Sequence, residues 1–577
     1  MKKVSLHRIS DFTLRLAVVL GTAAALTVAG TPASSSASVS QGATHFDVLI
    51  KGGRIFDGSG NPWFSADVGV RDGKIAAIGD LSDAVAAQVI DATGKAVSPG
   101  FIDIHSHSDF TLLVDGTGQS KVRQGVTLDV GGERSSVVPL AGEVLEERQR
   151  SGRSQGVEVD WTDLDGYFEH LLREGTSINV AIKVAPQQVK RIVVGGSVEQ
   201  AATPEQLERM KQLIVEAVHD GAIGISSWFR GGGYRFADEM IPMAQAAVDH
   251  GAVVYETHIG SEGYQLQEEL QKAIDIVEQT GLPVSVAHFK IRGRAIWDRL
   301  EPAIQMIEEA RARGLDITAS QYPYRAMTQG WSNFFPTWAR ETEDLEELLG
   351  STTNRDRIRN DPEWIQYFEE HGGIEGVVLC CLRNDSPVKQ YDGMSVAEIA
   401  AERNDPDPIN ALFEVVMANG RFPGGIHHNQ SEENVRRIMT LPWVAIASDG
   451  WAVRPEGILG EGVVHPRLYG TFPRVLGHYV RDEPLLTLAD AIRKMTSLPA
   501  QVLRLEDRGR LLPGYWGDIV VFNPQTVVDV ATYDEPHQYS LGVDYVLVNG
   551  VVVVDDGEHT GARPGQPVYG PGRQSAH

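Results

Sequence analysis

The sequence predicts an α/β fold in which a parallel (β/α)8 barrel of the TIM type carries a β-sandwich built from both chain ends. Three observations lead there. Short apolar strands alternate with amphipathic helices through the middle of the chain. Several of those strands end directly in histidine or aspartate, at the place where a parallel barrel presents its chemistry. Hairpins turned by glycine occupy both ends of the chain. The expected divisions are a leader over residues 1–42, a first sandwich part over 43–98, a barrel over 99–500 with an insertion at about 327–442, and a second sandwich part over 501–570.

The leader is set apart by its pattern. Lys2, Lys3, Arg8 and Arg15 precede an apolar run from Leu16 to Ala29, and small residues follow up to Ala37. A charged start, an apolar core and a small-residue exit form a secretory signal. The run is short for a spanning helix. The mature chain is therefore expected to be exported (secreted, periplasmic or at the cell envelope), with no stable membrane insertion. The remaining elements follow in order. Phe46–Phe56 alternates like a strand, and Ala66–Ile78 reads as a hairpin about Asp72-Gly73. Pro204–Val218 places apolar residues at helical spacing behind a Thr203 cap, and Ala222–Ser227 follows as a strand. Further strands are expected at Val253–His258, Val284–His288, Ile317–Tyr322 and Val444–Asp449. The stretch from Met327 to Pro442 breaks the rhythm and reads as an insertion over the barrel mouth. Asp518–Phe522 and a hairpin at Asn549-Gly550 close the chain in β style.

Composition narrows the function. The chain has 577 residues, 42% of them apolar and 22% charged, enough for a large globular core. Its 52 Lys plus Arg against 77 Asp plus Glu give a net charge of -25, which opposes nucleic-acid binding. The two cysteines, Cys380 and Cys381, are adjacent. They suit neither a disulfide framework nor a spaced zinc motif and read as a small apolar pair on a buried strand.

The stretch Pro99–Asp109 is the most informative. It runs through small and apolar residues into His105-Ser106-His107. Alternate residues of a strand share a face, so the two imidazoles lie roughly 6.5 Å apart at Cα and can converge on one ion. His258, His288 and Asp449 each follow an apolar strand in the same way. Four histidines and an aspartate at strand ends form a donor set suited to Zn²⁺.

The motifs Pro99–His107, Glu256–Gly263, Val286–Lys290, Gln321–Tyr324 and Ala447–Gly450 resemble those of the amidohydrolase superfamily, in its N-acyl-D-amino-acid deacylase (D-aminoacylase) branch. His465–Arg474, Met495–Ala500 and Arg508–Gly514 are similar to that branch as well. The resemblance covers about residues 45 to 570, with the motifs in the family order. It implies a distorted (β/α)8 barrel and zinc-dependent amide hydrolysis with one or two ions.

By the same resemblance, His105 and His107 are the first-strand ligands, and His258 and His288 the later ones. Asp449 touches the metal and shuttles the proton. Lys290 and Arg467 match positions that bind the carboxylate of a small-molecule substrate, and Tyr322 or Tyr324 lines that pocket. A cationic pair suits a carboxylate. The family places a cysteine ligand after its second strand, where this chain reads Val130-Gly-Gly-Glu-Arg134. Glu133 is the proposed replacement. Lys183 is the rival, because carboxylated lysine serves elsewhere in the superfamily. Ala185-Pro186 and Ser320 also depart from the family pattern and bear on the substrate. Zn²⁺ lowers the pKa of bound water toward about 7, and Asp449 moves the proton from water to the leaving amine. The implied activity is hydrolysis of N-acyl-D-amino acids. The alternative is a related metallohydrolase acting on a cyclic amide or a dipeptide.

Overall fold

The structure, a computed structural model, describes residues 45–133, 135–195, 200–228, 236–330, 335–340 and 344–574. The leader lies outside them. Both chain ends enter one nine-stranded sheet. Strand Ala96–Pro99 joins them: it runs parallel to His45–Ile55 and antiparallel to Ile519–Phe522. Alternation in these strands sends Val48, Ile50, Val68, Val70, Ile519, Val521 and Leu547 into one apolar cluster. The two hairpin turns form where expected. Asp72 and Gly73 take φ of 51° and 76°, and Asn549 and Gly550 take 49° and 79°, the paired positive values that a two-residue turn requires.

The barrel consists of eight parallel strands: β1 (Phe101–Asp103), β2 (Val126–Gly131), β3 (Asn179–Val184), β4 (Gly224–Trp228), β5 (Val254–His258), β6 (Val284–Val286), β7 (Ile317–Gln321) and β8 (Val444–Ile446). Helix Pro204–His219 shows how the outer layer is specified. Thr203 and Gln206 form a reciprocal capping box, and proline occupies the first turn. Met210, Leu213, Ile214 and Val218 fall on one face and are buried, each contributing about 1.5–3 kcal/mol.

The ladder is interrupted between β8 and β1. Closure comes just past the strand ends, where Asp449 N–H donates to the His105 carbonyl at 3.0 Å and His107 N–H to the Gly450 carbonyl at 3.1 Å. Beneath this seam lies Lys121, fully buried. Its Nζ reaches Asp103 Oδ2 at 2.6 Å, Ser448 Oγ at 2.8 Å, the Gly450 carbonyl at 2.9 Å and Ser106 Oγ at 3.1 Å.

Two boundaries differ from expectation. The inserted unit lies between β7 and β8 and has its own antiparallel sheet of Ala326–Gly330, Gly424–His428 and Val377–Cys380. Its apolar cluster includes Phe335, Leu348, Leu379 and Phe413. It ends before helix Glu432–Met439, which was expected to belong to it. That helix is capped by Ser431 and sends Val435, Ile438 and Met439 into the main core. The last residues leave the sheet and run along the barrel, where Val568 N–H donates to the Val180 carbonyl and Gly570 N–H to Gly221. Gly565 permits this approach, since a Cβ there would lie 2.2 Å from the Ile178 carbonyl oxygen. The cysteines also separate: Cys380 is buried at its strand end, whereas Cys381 is exposed with φ of 61°. Among the described residues, no helix is long and apolar enough to cross a membrane.

Candidate metal centre and active site

The strand ends deliver the expected side chains to one mouth. His105 and His107 extend from β1, and both Nε2 atoms approach Asp449 Oδ1, at 3.3 and 3.0 Å. The ligand atoms of these three residues lie within 4.8 Å of one another. A second group with the same property consists of His258, Glu262 and His288. The imidazoles form a continuous arc, with ring centroids 5.4 Å apart from His107 to His105, 5.0 Å from His105 to His288 and 4.4 Å from His288 to His258. Asp449 and His288 adopt φ of 49° and 34°, values uncommon outside glycine. Such strain concentrates where the surroundings force a side chain toward a site.

Glu133 reaches the mouth because of Gly132, whose φ is 92° and where a Cβ would meet the Lys183 carbonyl oxygen at 1.9 Å. Its Oε2 lies 3.7 Å from His107 Nδ1. Both Glu133 oxygens are buried with no hydrogen-bond partner. A buried carboxylate in that state is costly unless a cation completes it. Lys183 is placed differently. Its Nζ donates to Glu256 Oε2 at 2.5 Å and to the Ile104 carbonyl at 3.2 Å. Glu256 in turn faces His105 Nδ1 at 3.0 Å. Lys183 thus supports a histidine from behind and keeps its ammonium partnered.

The electrostatics divide the site. Burial opposes charge on His105, but Glu256 and Asp449 outweigh it and push its pKa up to about 10. Burial also opposes charge on Asp449, yet Arg467, His288 and the two histidine hydrogen bonds hold it well below the usual carboxylate range. Arg467 Nη1 stands 2.8 Å from Asp449 Oδ2. His288 goes the other way, its pKa lowered by burial and by the Lys290 ammonium. Lys290 Nζ pairs with Glu262 and lies 2.7 Å from His288 Nδ1. Nearby cations hold Glu262 well below its ordinary value against the cost of burial.

A cavity of about 400 Å³ opens over these groups, with Lys290 and Arg467 on its wall, Trp451 opposite, and Met327–Gly330 of the insertion closing it. Both cations lie over the Tyr322 ring, Lys290 Nζ at 5.3 Å and the Arg467 guanidinium carbon at 4.9 Å from its centroid. Tyr324 does not join it. The ring packs instead against His465 at 5.2 Å and Arg474 at 5.0 Å. The physical reason is that β7 ends at Gln321 and Pro323 breaks the two-residue alternation that would put both tyrosines on one face.

Sequence reasoning left Glu256, Glu262 and Lys121 without roles. Glu256 had a signal: it sits two residues before His258 on β5 and shares its face. Glu262 stood inside a quoted motif, four residues after His258. Lys121 had none, since its partners Ser448 and Gly450 are more than 300 positions away.

Histidines and buried carboxylates converging at the C-terminal face of a (β/α)8 barrel define a metal-binding barrel enzyme. The chain's residues 409–554 match the model of the Amidohydrolase family. The chain is 33% identical over 512 residues to an N-acyl-D-glutamate deacylase of Alcaligenes xylosoxydans xylosoxydans, covering 88% of this chain and 93% of that one. A D-aminoacylase of the same organism is 33% identical over 535 residues, covering 90% and 97%. The crystal structure of the Bordetella bronchiseptica N-acyl-D-glutamate deacylase, complexed with zinc and a phosphonate inhibitor, superposes with a TM-score of 0.74 at 30% identity. It covers 91% of this chain and all of that one. The chain belongs to the amidohydrolase superfamily, in its D-aminoacylase branch.

Proposed function

We propose that the chain hydrolyses the amide bond of N-acyl-D-amino acids, releasing a carboxylate and a free D-amino acid. The observation that carries this reading is the shared position of Asp449. One of its oxygens meets both first-strand histidines, and the other meets Arg467 on the wall of the substrate cavity. A proton carrier therefore stands between the ligand set and a cation suited to a carboxylate.

His105, His107, Glu133, His258, His288 and Asp449 would hold one or two zinc ions. When bound, zinc polarises an amide carbonyl and acidifies water. The chain's own residues do the rest. Asp449 accepts the proton of the attacking water and returns it to the departing amine, as general acid–base catalysis requires. Its depressed pKa keeps the carboxylate ionised. Arg467 orients the amino-acid carboxylate through its Nε, which has no hydrogen-bond acceptor of its own, while Nη1 stays beside Asp449. Lys290, held by Glu262, adds positive charge beside it, and both cations lie over the Tyr322 ring. The proposed setting is outside the cytoplasm, on the strength of the leader pattern. N-terminal sequencing of the exported chain tests that part.

The activity is tested with zinc-loaded protein against N-acetyl D- and L-amino acids, a hydantoin and a dipeptide set. Hydrolysis of the D-series, at least tenfold above the L-series, is expected. Ring opening or dipeptide cleavage in preference to every N-acetyl amino acid would overturn the reading.

A further inference from the structure

The barrel mouth has a second lobe that the proposed chemistry leaves unused. It measures about 480 Å³ and shares His107 and Glu133 with the Arg467 cavity, so the two lobes meet at the ligand set. An N-acyl amino acid has two arms joined at the scissile amide. With its α-carboxylate on Arg467, such a substrate would have this second lobe, across His107 and Glu133, as the space open to its acyl arm.

The lobe's walls are polar. Phe110 is the one apolar side chain among those that line it, and Arg148, Arg191, Gln187 and Gln188 face it. The two arginines differ. Arg191 spends its Nη2 on both oxygens of Glu147, at 2.9 and 2.8 Å. Arg148 has only neutral hydrogen-bond acceptors among the described residues, Ser135 Oγ at 2.9 Å and the Ser136 carbonyl at 3.4 Å, both from Nη2, although its charge also favours the buried Asp109 carboxylate nearby. Its guanidinium lies 5.2 Å from the Phe110 ring, which steadies the plane of the fork. The Gln187 amide oxygen is buried without a hydrogen-bond partner, but it is an acceptor and calls for a donor, so it does not itself favour a carboxylate. Asp109 lines the lobe too, with its Oδ1 accepting from Phe110 N–H at 3.2 Å. An aliphatic acyl chain would desolvate an arginine and an amide and give them nothing in return. A carboxylate would complete the Arg148 fork in the bidentate geometry that guanidinium favours.

We propose that this lobe is the acyl subsite and that it selects short acyl groups ending in a carboxylate, of the succinyl type, with Arg148 as the recognising cation. The inference rests on the deacylase reading and adds the acyl class to it.

The test compares kcat/KM for the N-acetyl, N-butyryl and N-succinyl derivatives of one D-amino acid on zinc-loaded protein. N-succinyl is expected to exceed N-butyryl by tenfold or more. Arg148→Met should lower that ratio by at least tenfold, and Arg148→Lys should retain part of it. Arg148 lies on the outer helix Gly142–Ser154, and equal melting curves would show that the variants fold. An N-butyryl substrate as good as N-succinyl, or an unchanged ratio in Arg148→Met, overturns the subsite while leaving the deacylase reading intact. Turnover of none of the three overturns the deacylase reading and this inference with it.

Discussion

His105, His107 and Asp449 are anchored in the barrel seam, whereas His258, Glu262 and His288 are tied outward to the insertion. The first group is fixed by backbone bonds across the seam and by the buried Lys121 beneath it. The second is held through a chain of charges. Glu262 pairs with Lys290 and with Arg292 Nη1 at 3.5 Å, Arg292 Nε reaches Glu370 Oε2 at 3.3 Å, and Glu370 belongs to an insertion helix. The backbone adds one link, from Gly293 N–H to the Asn429 carbonyl. Burial of the Lys121 cluster makes its geometry costly to change, while the longer relay through Arg292 leaves room for adjustment. The two halves of the donor set thus rest on different supports, and we propose that the seam half governs turnover more than the half tied to the insertion.

The sharpest way to break this contrast is at its proton carrier. Asp449→Asn keeps the size of the side chain and removes the proton acceptor. Turnover should fall by a factor on the order of 10² to 10⁴ while far-ultraviolet circular dichroism stays native. A loss below about tenfold would contradict the role given to Asp449.

Next in size is the seam itself. Lys121→Met leaves Asp103 and Asp129 buried without their cation, whose Nζ lies 2.6 and 3.2 Å from them. Removing one partner of such a group costs about 3–5 kcal/mol. Denaturant unfolding should show that loss, and the metal content of the surviving fold should fall with it. Native stability and full metal in this variant would show that the seam does not position the ligands.

A third test concerns the two rivals beside the seam. Glu133→Ala should lower zinc per chain, because its orphaned oxygens are the ones a cation would complete. Lys183→Met should keep the metal but melt earlier, since it strips Glu256 of its cation. If Lys183→Met loses the metal and Glu133→Ala keeps it, Lys183 is the ligand, in carboxylated form.

Legibility in the sequence follows the range of the forces involved. The strand-end side chains that meet at the mouth could be read because β alternation and the polarity of a parallel barrel are local rules, and His105, His107, His258, His288 and Asp449 obey both. Glu133 could be placed because Gly131-Gly132 marks the turn before it. The residues that hold these groups in register could not be read the same way. Lys121, Glu256 with Lys183, and Arg292 with Glu370 find their partners through tertiary contacts that leave no periodic trace. The resemblance left Tyr322 and Tyr324 as alternatives, and only the end of β7 at Gln321, with Pro323 after it, separates their surroundings. The insertion was drawn too long because helix Glu432–Met439 is charged on its outer face, and its three buried apolar residues are few enough to be missed.

The smallest expected effect lies at the far end of the outward relay. Glu370→Gln keeps a hydrogen-bond acceptor for Arg292 and removes the charge. The residue is buried, and its other oxygen accepts from Gln366 Nε2 at 2.9 Å; with the new NH2 in that place the contact is kept by turning the Gln366 amide over, so that its oxygen accepts. Arg292 also keeps Glu262 and its position over the Tyr367 ring at 5.1 Å. The loss in stability should stay near about 1 kcal/mol, the scale of one hydrogen bond weakened but not orphaned. The functional readout differs in kind from that of the seam variants. With Glu370 neutral, Arg292 draws more strongly on Glu262, and Glu262 shares less of its charge with Lys290 on the substrate wall. KM should shift by a few fold while kcat and zinc per chain hold steady. A fall in kcat or in metal content comparable to that of Lys121→Met would mean that the half tied to the insertion governs turnover as much as the seam half, and the division between the two groups would have to be abandoned.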